Sequence, residues 1–411
     1  MTGIASAALE LATSFWVLQS AVALIKTRKA FRLFTAHRLW LDQRAPQPEP
    51  GKVALVIAVK GVSENFERFL DFAFGQDYPV YQIVFSVASE DDPVYAIIAR
   101  RLAEGGPVPA RLIVAGEARD SGQKVHNQIA ALKVLGNSCD LIAFADADLS
   151  GRGDWLSCLV LPLNLGQADF TTGYRWFIPA DRRLPNRIPA LIGTGIEPLV
   201  GPNWRMCLWG GSMAMTRAVF EELEIVKNLA GSINDDARIS QLARQAGKRM
   251  RYVRSVAALS PVDFTWLSLF EFGRRQYFQL RIYQPLLWWL ALLIPLLFFA
   301  GLGICLARLA TGNLFMLVPI GIAVFLNLAR TRVRRAYLRA RFESGDAAAL
   351  DDAVRGSWWL DPVVNLVHLG IILGSACGRE IVWAGVRYRV TGPRQTEILG
   401  RPPEGFGVQS L

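Results

Sequence analysis

The stretch LIAFADADLS, residues 141–150, decides the fold. An apolar run, Leu141 to Ala145, leads straight into two aspartates, Asp146 and Asp148, separated by one alanine. A short, wholly apolar run reads as a strand buried on both faces. Carboxylates just past its end stand where a parallel sheet opens its ligand crevice. Two so close together repel unless a cation lies near, and Mg2+ or Mn2+ takes oxygen ligands together with substrate phosphates. A divalent ion joining Asp148 to a diphosphate is one reading. A surface turn and helix cap, which Asp, Ser and Gly at 148–151 also suit, is the other.

Working outward, the same alternation continues. VALVIAV at 53–59 reads as a strand ending at Lys60 and Gly61, and ENFERFLDFAF at 64–74 has helical spacing. VYQIVFSVA at 80–88 is the next strand, followed by a helix over 93–102, a brief strand at 112–114, a helix over 124–135 and the strand at 140–145. Such alternation predicts an α/β fold with a mostly parallel central sheet covered on both faces. No Gly-x-Gly-x-x-Gly follows the first strand and no phosphate-binding P-loop occurs, which argues against a dinucleotide domain and a P-loop ATPase. A Gly-x-Ser-x-Gly elbow is also absent, so a serine hydrolase has no footing. A second acidic pair, Asp235 and Asp236, precedes a helix over 237–245. An ordinary acidic helix start explains it, since the dipole favours it; a general base explains it too. The dipole would lower the pKa of such a base unless neighbours compensate. Gly210 and Gly211 suggest a close backbone approach.

Of the 411 residues 52% are hydrophobic, enough for one full domain and more apolar than a soluble domain needs. The net charge is +10, and much of the arginine excess flanks apolar runs, at 28–38 and 330–335. That placement favours membrane topology over nucleic-acid binding. The five cysteines and three histidines have no metal-ligand spacing; the cysteines read as small hydrophobes in a reducing compartment. Residues 4–25 are apolar apart from Glu10, which suits a helix interface too, and several small polar residues; Lys26, Arg28, Lys29, Arg32 and Arg38 follow, an order that fits a transmembrane anchor with its N-terminus outside better than a signal peptide. Residues 285–307 and 314–328 form a hairpin of spans, followed by Arg330, Arg332, Arg334 and Arg335. A third stretch, 358–376, contains Asp361, Pro362, Asn365 and His368 and reads as a packed span or a re-entrant piece. Four crossings would put the basic residues at 379–394 on the far side, against the positive bias, so the last crossing stays open.

Seven short motifs then occur in order: VIAVKG at 56–61, SEDDP at 89–93, GQKVHNQ at 122–128, FADADLS at 144–150, GGSMAM at 210–215, NDDARI at 234–239 and RRQYFQLRIY at 274–283. With an anchor before them and spans after, the chain resembles an inverting family 2 glycosyltransferase of the GT-A fold. Within that group it is most similar to the membrane-bound ceramide glucosyltransferases of family 21, bacterial homologues included. The resemblance covers roughly residues 53–282. It extends more loosely to the membrane spans, and with the apolar runs the expected organisation is an anchor at 1–27, a basic linker at 28–49, a catalytic domain at 50–260, an amphipathic interfacial helix at 261–284, a membrane region with two or three spans at 285–378 and a basic tail at 379–411.

The resemblance also implies roles. Asp92 would contact the uracil–ribose part of a UDP-sugar, although a helix cap before Pro93 explains it equally. Lys60 and Gly61 would lie near the nucleotide, Lys124 near the ribose or diphosphate, and His126 near the donor, unless these are a solvated lysine and a core or surface histidine. Asp148 would ligate Mg2+ or Mn2+, Asp146 would orient the sugar or ribose, and Gly211 would approach the sugar or acceptor. Asp236 would be the base and Asp235 its orienting neighbour. The family carries Gln/Arg-x-x-Arg-Trp, but here Gly273-Arg274-Arg275-Gln276-Tyr277 sets Gln276 and Tyr277 where its Arg and Trp would fall. Arg275 or Arg274 would then supply the cation, with donor preference open to change. Phe264, Trp266, Leu267, Phe270 and Phe272 interleave with Arg274, Arg275 and Arg281 as in helices of the headgroup plane, or as in a core-packed helix. Trp176, Phe177, Trp204 and Trp209 are candidates for a sugar platform or for interface contacts.

The implied function is transfer of a sugar, glucose, from a UDP-sugar to the primary hydroxyl of ceramide or a similar membrane lipid. The setting would be the bacterial inner membrane, with the catalytic domain cytoplasmic and no nucleic acid involved; the oligomeric state stays open. Alternatives are a hopanoid or other lipid acceptor, a processive polysaccharide synthase, and a non-enzymatic scaffold or transporter. The short membrane region argues against a polymer channel, and a transporter needs more spans with charged groups inside them.

Overall fold

The computed structural model describes residues 2–43, 49–63, 65–106, 108–201 and 203–401. Part of the expected linker (44–48), the expected helix start at Glu64 and the end of the basic tail (402–411) lie outside the described residues. After a long helix, α1 (Thr2–Asp42), the chain alternates β1 (Val53–Ala58), α2 (Phe66–Phe74), β2 (Tyr81–Val87), α3 (Pro93–Ala103), β3 (Ala110–Val114), α4 (Gln123–Lys133), β4 (Leu141–Ala145) and α5 (Trp155–Asn164). The second half of the sheet domain contains β5 (Phe170–Pro179), α6 (Leu184–Ile196), β6 (Ser212–Thr216), α7 (Arg217–Glu222), α8 (Ile225–Leu229), α9 (Asp235–Gln245) and β7 (Met250–Val262). Then follow α10 (Trp266–Tyr283), α11 (Pro285–Ala310), α12 (Leu317–Arg341), α13 (Ser344–Val354), α14 (Ser357–Ala376), β8 (Glu380–Trp383), β9 (Val386–Gly392) and β10 (Gln395–Gly400).

The apolar strands are continuous because both faces of the sheet are covered. Val53, Leu55 and Ile57 pack on α2, α3 and α5, while Ala54 and Val56 pack on α4 and α9. Burying each such aliphatic side chain contributes roughly 1.5–3 kcal/mol, so the run cannot slip toward solvent. The sheet order is β3-β2-β1-β4-β6-β5-β7. Its first four strands are parallel, β6 runs antiparallel to both neighbours, and β5 and β7 pair in parallel. β1 lies between β2 and β4, so the connections on its two sides diverge and open a crevice at the C-terminal ends of β1 and β4. Strands β5 to β7 were not legible as runs: FTTGYRWFIP and MRYVRSVAALSPV carry polar residues that find partners inside the domain.

Three helical segments among the described residues are long and apolar enough to cross a membrane: 285–310, 314–341 and 357–376. α1 packs along two of them. Its Trp16 ring lies 6.1 Å from that of Phe298, and Ala30 and Phe34 share a core with Tyr337 and Leu338. Leu41 then reaches the sheet's core, and Arg38 meets Asp154 at 3.0 Å.

α14 lies across the base of the α11–α12 hairpin. Near its start the Ser357 hydroxyl meets that of Thr331 at 2.8 Å, and near its end the indole of Trp288 donates to Ser375 at 2.9 Å. One end is tied to the sheet domain and the other to its flanking helix. Arg187 of α6 donates to the carbonyl of Arg355 at 2.8 Å, and Arg281 of α10 to that of Gly378 at 2.7 Å.

The segment expected as a basic tail folds, as far as residue 400, into a three-stranded antiparallel sheet. In β9 Val386, Tyr388 and Val390 point inward against Ile233, Phe278 and Tyr283, while Arg387 and Arg389 point out. Trp176, expected as a sugar platform, is buried against Tyr337 and Phe342 instead, because α12 and α13 cover its face of β5.

Candidate active site

The crevice at the ends of β1 and β4 is lined by Lys60, Lys124, Asp146, Asp148, Arg175 and Asp236, with α10 forming another wall. The two aspartates of the opening stretch do not face one shared charge. Asp146 accepts from the Lys124 ammonium at 2.7 Å, and Asp148 accepts from the Arg175 guanidinium at 2.7 Å. Each carboxylate therefore has its own cation, which relieves their repulsion. Burial works against the Asp146 anion, but Lys124 and Arg175 outweigh it and hold the pKa below the usual range. Arg175 is braced by the Ser260 hydroxyl at 3.0 Å and by the Phe177 ring at 5.3 Å. It sits on β5, and sequence reading passed over it.

Lys124 also lies 3.4 Å from Asp235, joining the two acidic pairs. Burial opposes its charge, yet Asp146, Asp235 and Asp236 raise its pKa, so it stays an ammonium. Asp235 is fully buried at the first turn of α9 and accepts from Gln128 at 2.7 Å. Its neighbour Asp236 faces the crevice and accepts from the Gly210 amide at 2.7 Å. Burial first, and then the adjacent Asp235 charge, push the Asp236 carboxyl up to about 7. The lowering expected from the helix dipole is overcome by these two effects.

The Gly210–Gly211 turn threads between the acidic pairs. A Cβ on Gly210 would lie 2.6 Å from an Asp235 oxygen, and one on Gly211 would lie 2.6 Å from an Asp146 oxygen. A Cβ on Gly211 would also run into the Trp209 ring, so a side chain at either glycine would force its neighbours to shift.

Asp92 caps α3 by accepting from the Val94 amide at 3.1 Å, and its two oxygens each take the Gly61 amide at 3.1 Å. It thereby holds the loop after β1, where Gly61 has φ +67°. Asp92 does not itself line the crevice; Gly61 does. His126 contacts the Ala115 carbonyl at 3.0 Å, outside the crevice lining. On α10, Arg275, Gln276 and Gln279 line the crevice. Arg274 and Tyr277 turn the other way. Arg274 donates to the Gly374 carbonyl at 3.1 Å, and the Tyr277 hydroxyl bonds to His368 of α14. Trp209 contributes to the lining, whereas Trp204 is half exposed elsewhere. Trp383, Ala384 and Tyr388, from the small C-terminal sheet, complete the lining and were not anticipated.

Among the described residues no group of three His, Cys, Asp or Glu side chains is placed to hold a metal alone. Asp148 nevertheless fits a divalent cation that draws its remaining ligands from a phosphate. It is partly exposed to the crevice, and only its Oδ2 has a hydrogen-bond partner among the described residues.

The family model described as "Glycosyl transferase family 21" matches residues 17–395. Among solved structures, the chain is similar to the mannosyltransferase PcManGT from Pyrobaculum calidifontis in complex with GDP-Man and Mn2+. The identity is 16% and the TM-score 0.46, over 88% of this chain and 99% of that one. It is similar also to TarS 1-349 of S. aureus in complex with UDP-GlcNAc, at 11% identity and a TM-score of 0.38, over 85% of this chain and all of that one.

Proposed function

This chain belongs to glycosyl transferase family 21, and from that premise we propose that it transfers a sugar, glucose, with inversion from a UDP-sugar to the primary hydroxyl of ceramide or a related membrane lipid. The observation that carries the reading is the meeting in one crevice of a near-neutral carboxyl, Asp236, with the cations Lys60, Lys124, Arg175 and Arg275. An anionic diphosphate leaving group needs the cations, and an attacking hydroxyl needs the base.

In the proposed reaction Asp236 takes the proton of the acceptor hydroxyl as its oxygen bonds to the anomeric carbon and the bond from that carbon to the diphosphate oxygen breaks. UDP departs with the electron pair. Asp235, fixed by Gln128 and Lys124, holds the start of α9 so that Asp236 faces the acceptor. Lys124, Arg175 and Arg275 offset the charge gathering on the diphosphate. Asp148 is the residue that would hold Mg2+ or Mn2+, which when bound supplies further charge neutralisation at the phosphates.

The acceptor side is apolar. Trp266, Leu267 and Phe270 of α10 and Trp359, Leu366 and Leu373 of α14 are exposed, as suits helices lying in the headgroup plane. In this reading α1, α11 and α12 cross the bilayer and α14 lies along its surface, so the catalytic domain and the C-terminal sheet share one side. The basic flanks, Lys26 to Arg38 and Arg330 to Arg341, favour the cytoplasmic side of a bacterial inner membrane.

The test is UDP release by the full chain in detergent with Mg2+ or Mn2+ and UDP-glucose, with and without ceramide. Release that depends on the lipid is expected. Asp236→Asn should bind UDP as the parent does and lose roughly 10²–10⁴-fold in turnover. Transfer that survives this change would remove Asp236 as the base, and absence of release under every condition would favour a scaffold.

A further inference from the structure

The tip of the β8–β9 hairpin projects into the same crevice as Asp146, Asp148 and Asp236, although it lies far beyond all three in the chain. Three contacts place it there. The Lys60 ammonium donates to the Ala384 carbonyl at 2.8 Å. The Gln123 amide, at the start of α4, donates to the Tyr388 hydroxyl at 3.2 Å. The Arg275 guanidinium lies 5.4 Å from the Trp383 ring and 5.4 Å from the Phe272 ring, bridging the hairpin to α10. All three partners belong to the crevice's β1, α4 and α10 walls, so the hairpin closes the remaining side.

The turn itself is unusual. Ala384 has φ +48° and Gly385 φ +78°, the paired positive angles of a tight two-residue hairpin. Glycine or asparagine adopts that first position readily, whereas an alanine there costs about 1–2 kcal/mol. The strain is sustained by the packed face of β9 and by the Lys60 bond. Residues held so cluster at ligand sites.

The chemistry of these contacts also points to a ligand. Lys60 gives a full positive charge to a neutral carbonyl, a weaker partner than a phosphate oxygen. Burial lowers its pKa, which leaves it ready for a stronger anionic partner. Beside it stand an indole face and a phenol, the groups that receive an aromatic base and a ribose hydroxyl. The ends of β1 and β2 are also where a parallel half-sheet receives a nucleotide.

We propose that the C-terminal hairpin is the closing wall of the donor pocket, and that Trp383 and Tyr388 set the affinity for the nucleoside diphosphate while Lys60 passes from the Ala384 carbonyl to the ligand. This inference rests on the nucleotide-sugar reading above. It adds a donor-binding element from a part of the chain that sequence order separates from every acidic pair.

The experiment uses the full chain in detergent with UDP, and GDP as a second probe, in the presence of Mg2+. Binding is followed by calorimetry and amide exchange by mass spectrometry. Wild type should bind UDP, and the amides of 381–388 should exchange more slowly once it is bound. Trp383→Ala should weaken UDP about tenfold, the scale of losing one aromatic–base contact, and Tyr388→Phe should weaken it less. Val382→Ser, an exposed neighbour on the same hairpin, should bind as wild type does. Equal UDP affinity in wild type and Trp383→Ala, with no protection of 381–388, overturns the hairpin's role while leaving the donor reading intact. Failure of wild type to bind either nucleotide removes the donor reading and this inference with it. Should Trp383→Ala unfold, the exchange measurement on wild type decides alone.

Discussion

Asp236 is the base of the proposed transfer, and its environment predicts a pH profile. Its carboxyl is pushed up to about 7 by burial and by Asp235. A base works only as the anion, so turnover should rise with pH up to about 7 and level off above it. Asp235→Asn keeps the shape and an oxygen for Gln128 but removes the like charge, so the rising limb should move to lower pH. A turnover–pH series on the two proteins checks this; a limb that stays put would assign the titration to another group. Both acidic pairs and Lys124 were legible because each follows a strand or opens a helix. Arg175 and Gln128 were not. Their partners are 27 and 107 positions away, and no local pattern reports such a pairing.

At the scale of elements, α14 and the C-terminal sheet are the instructive cases. Composition alone gave α14 the look of a span, yet both ends of this 20-residue helix, about 30 Å long, are tied to neighbouring elements, one to α6 and the other to α10. Single cysteines at Arg355 and Arg379, both exposed, introduced in a cysteine-free background, should react with an impermeant thiol reagent from the same side of sealed vesicles. Labelling from opposite sides would make α14 a full crossing. On the proposed reading, in which α14 lies along the membrane surface, these tethers remove the conflict that counting four crossings raises. β9 offers the opposite lesson. Val-Arg-Tyr-Arg-Val at 386–390 has a strand's period of two, but counting its arginines alone makes it a basic tail.

The whole molecule is joined by a buried carboxylate. Glu197, just after α6, is fully buried and accepts from Arg254 at 2.6 Å, Tyr252 at 2.7 Å and Tyr337 at 3.0 Å. The first two belong to β7 and the third to α12, so this one side chain ties the catalytic domain to the hairpin of apolar helices. Glu197→Gln keeps the volume but leaves Arg254, and Arg341 of α12 at 3.8 Å, without their counter-charge. Breaking such a pair typically costs about 3–5 kcal/mol, and unfolding in detergent should show a loss of that order. An unchanged unfolding midpoint would mean that solvent reaches the site and compensates.

By itself the sequence determined the alternation of strands and helices, the membrane-length helices and the acidic pairs at the crevice. Each of these is written in neighbouring residues, as a period or as a charge at the end of an apolar run. Only the tertiary structure decided which cation meets which carboxylate, that Arg275 and not Arg274 faces the crevice, and that the C-terminal hairpin closes it. One step along a helix turns a side chain by about 100°, and contacts across hundreds of positions depend on how whole elements pack. Local patterns carry neither quantity.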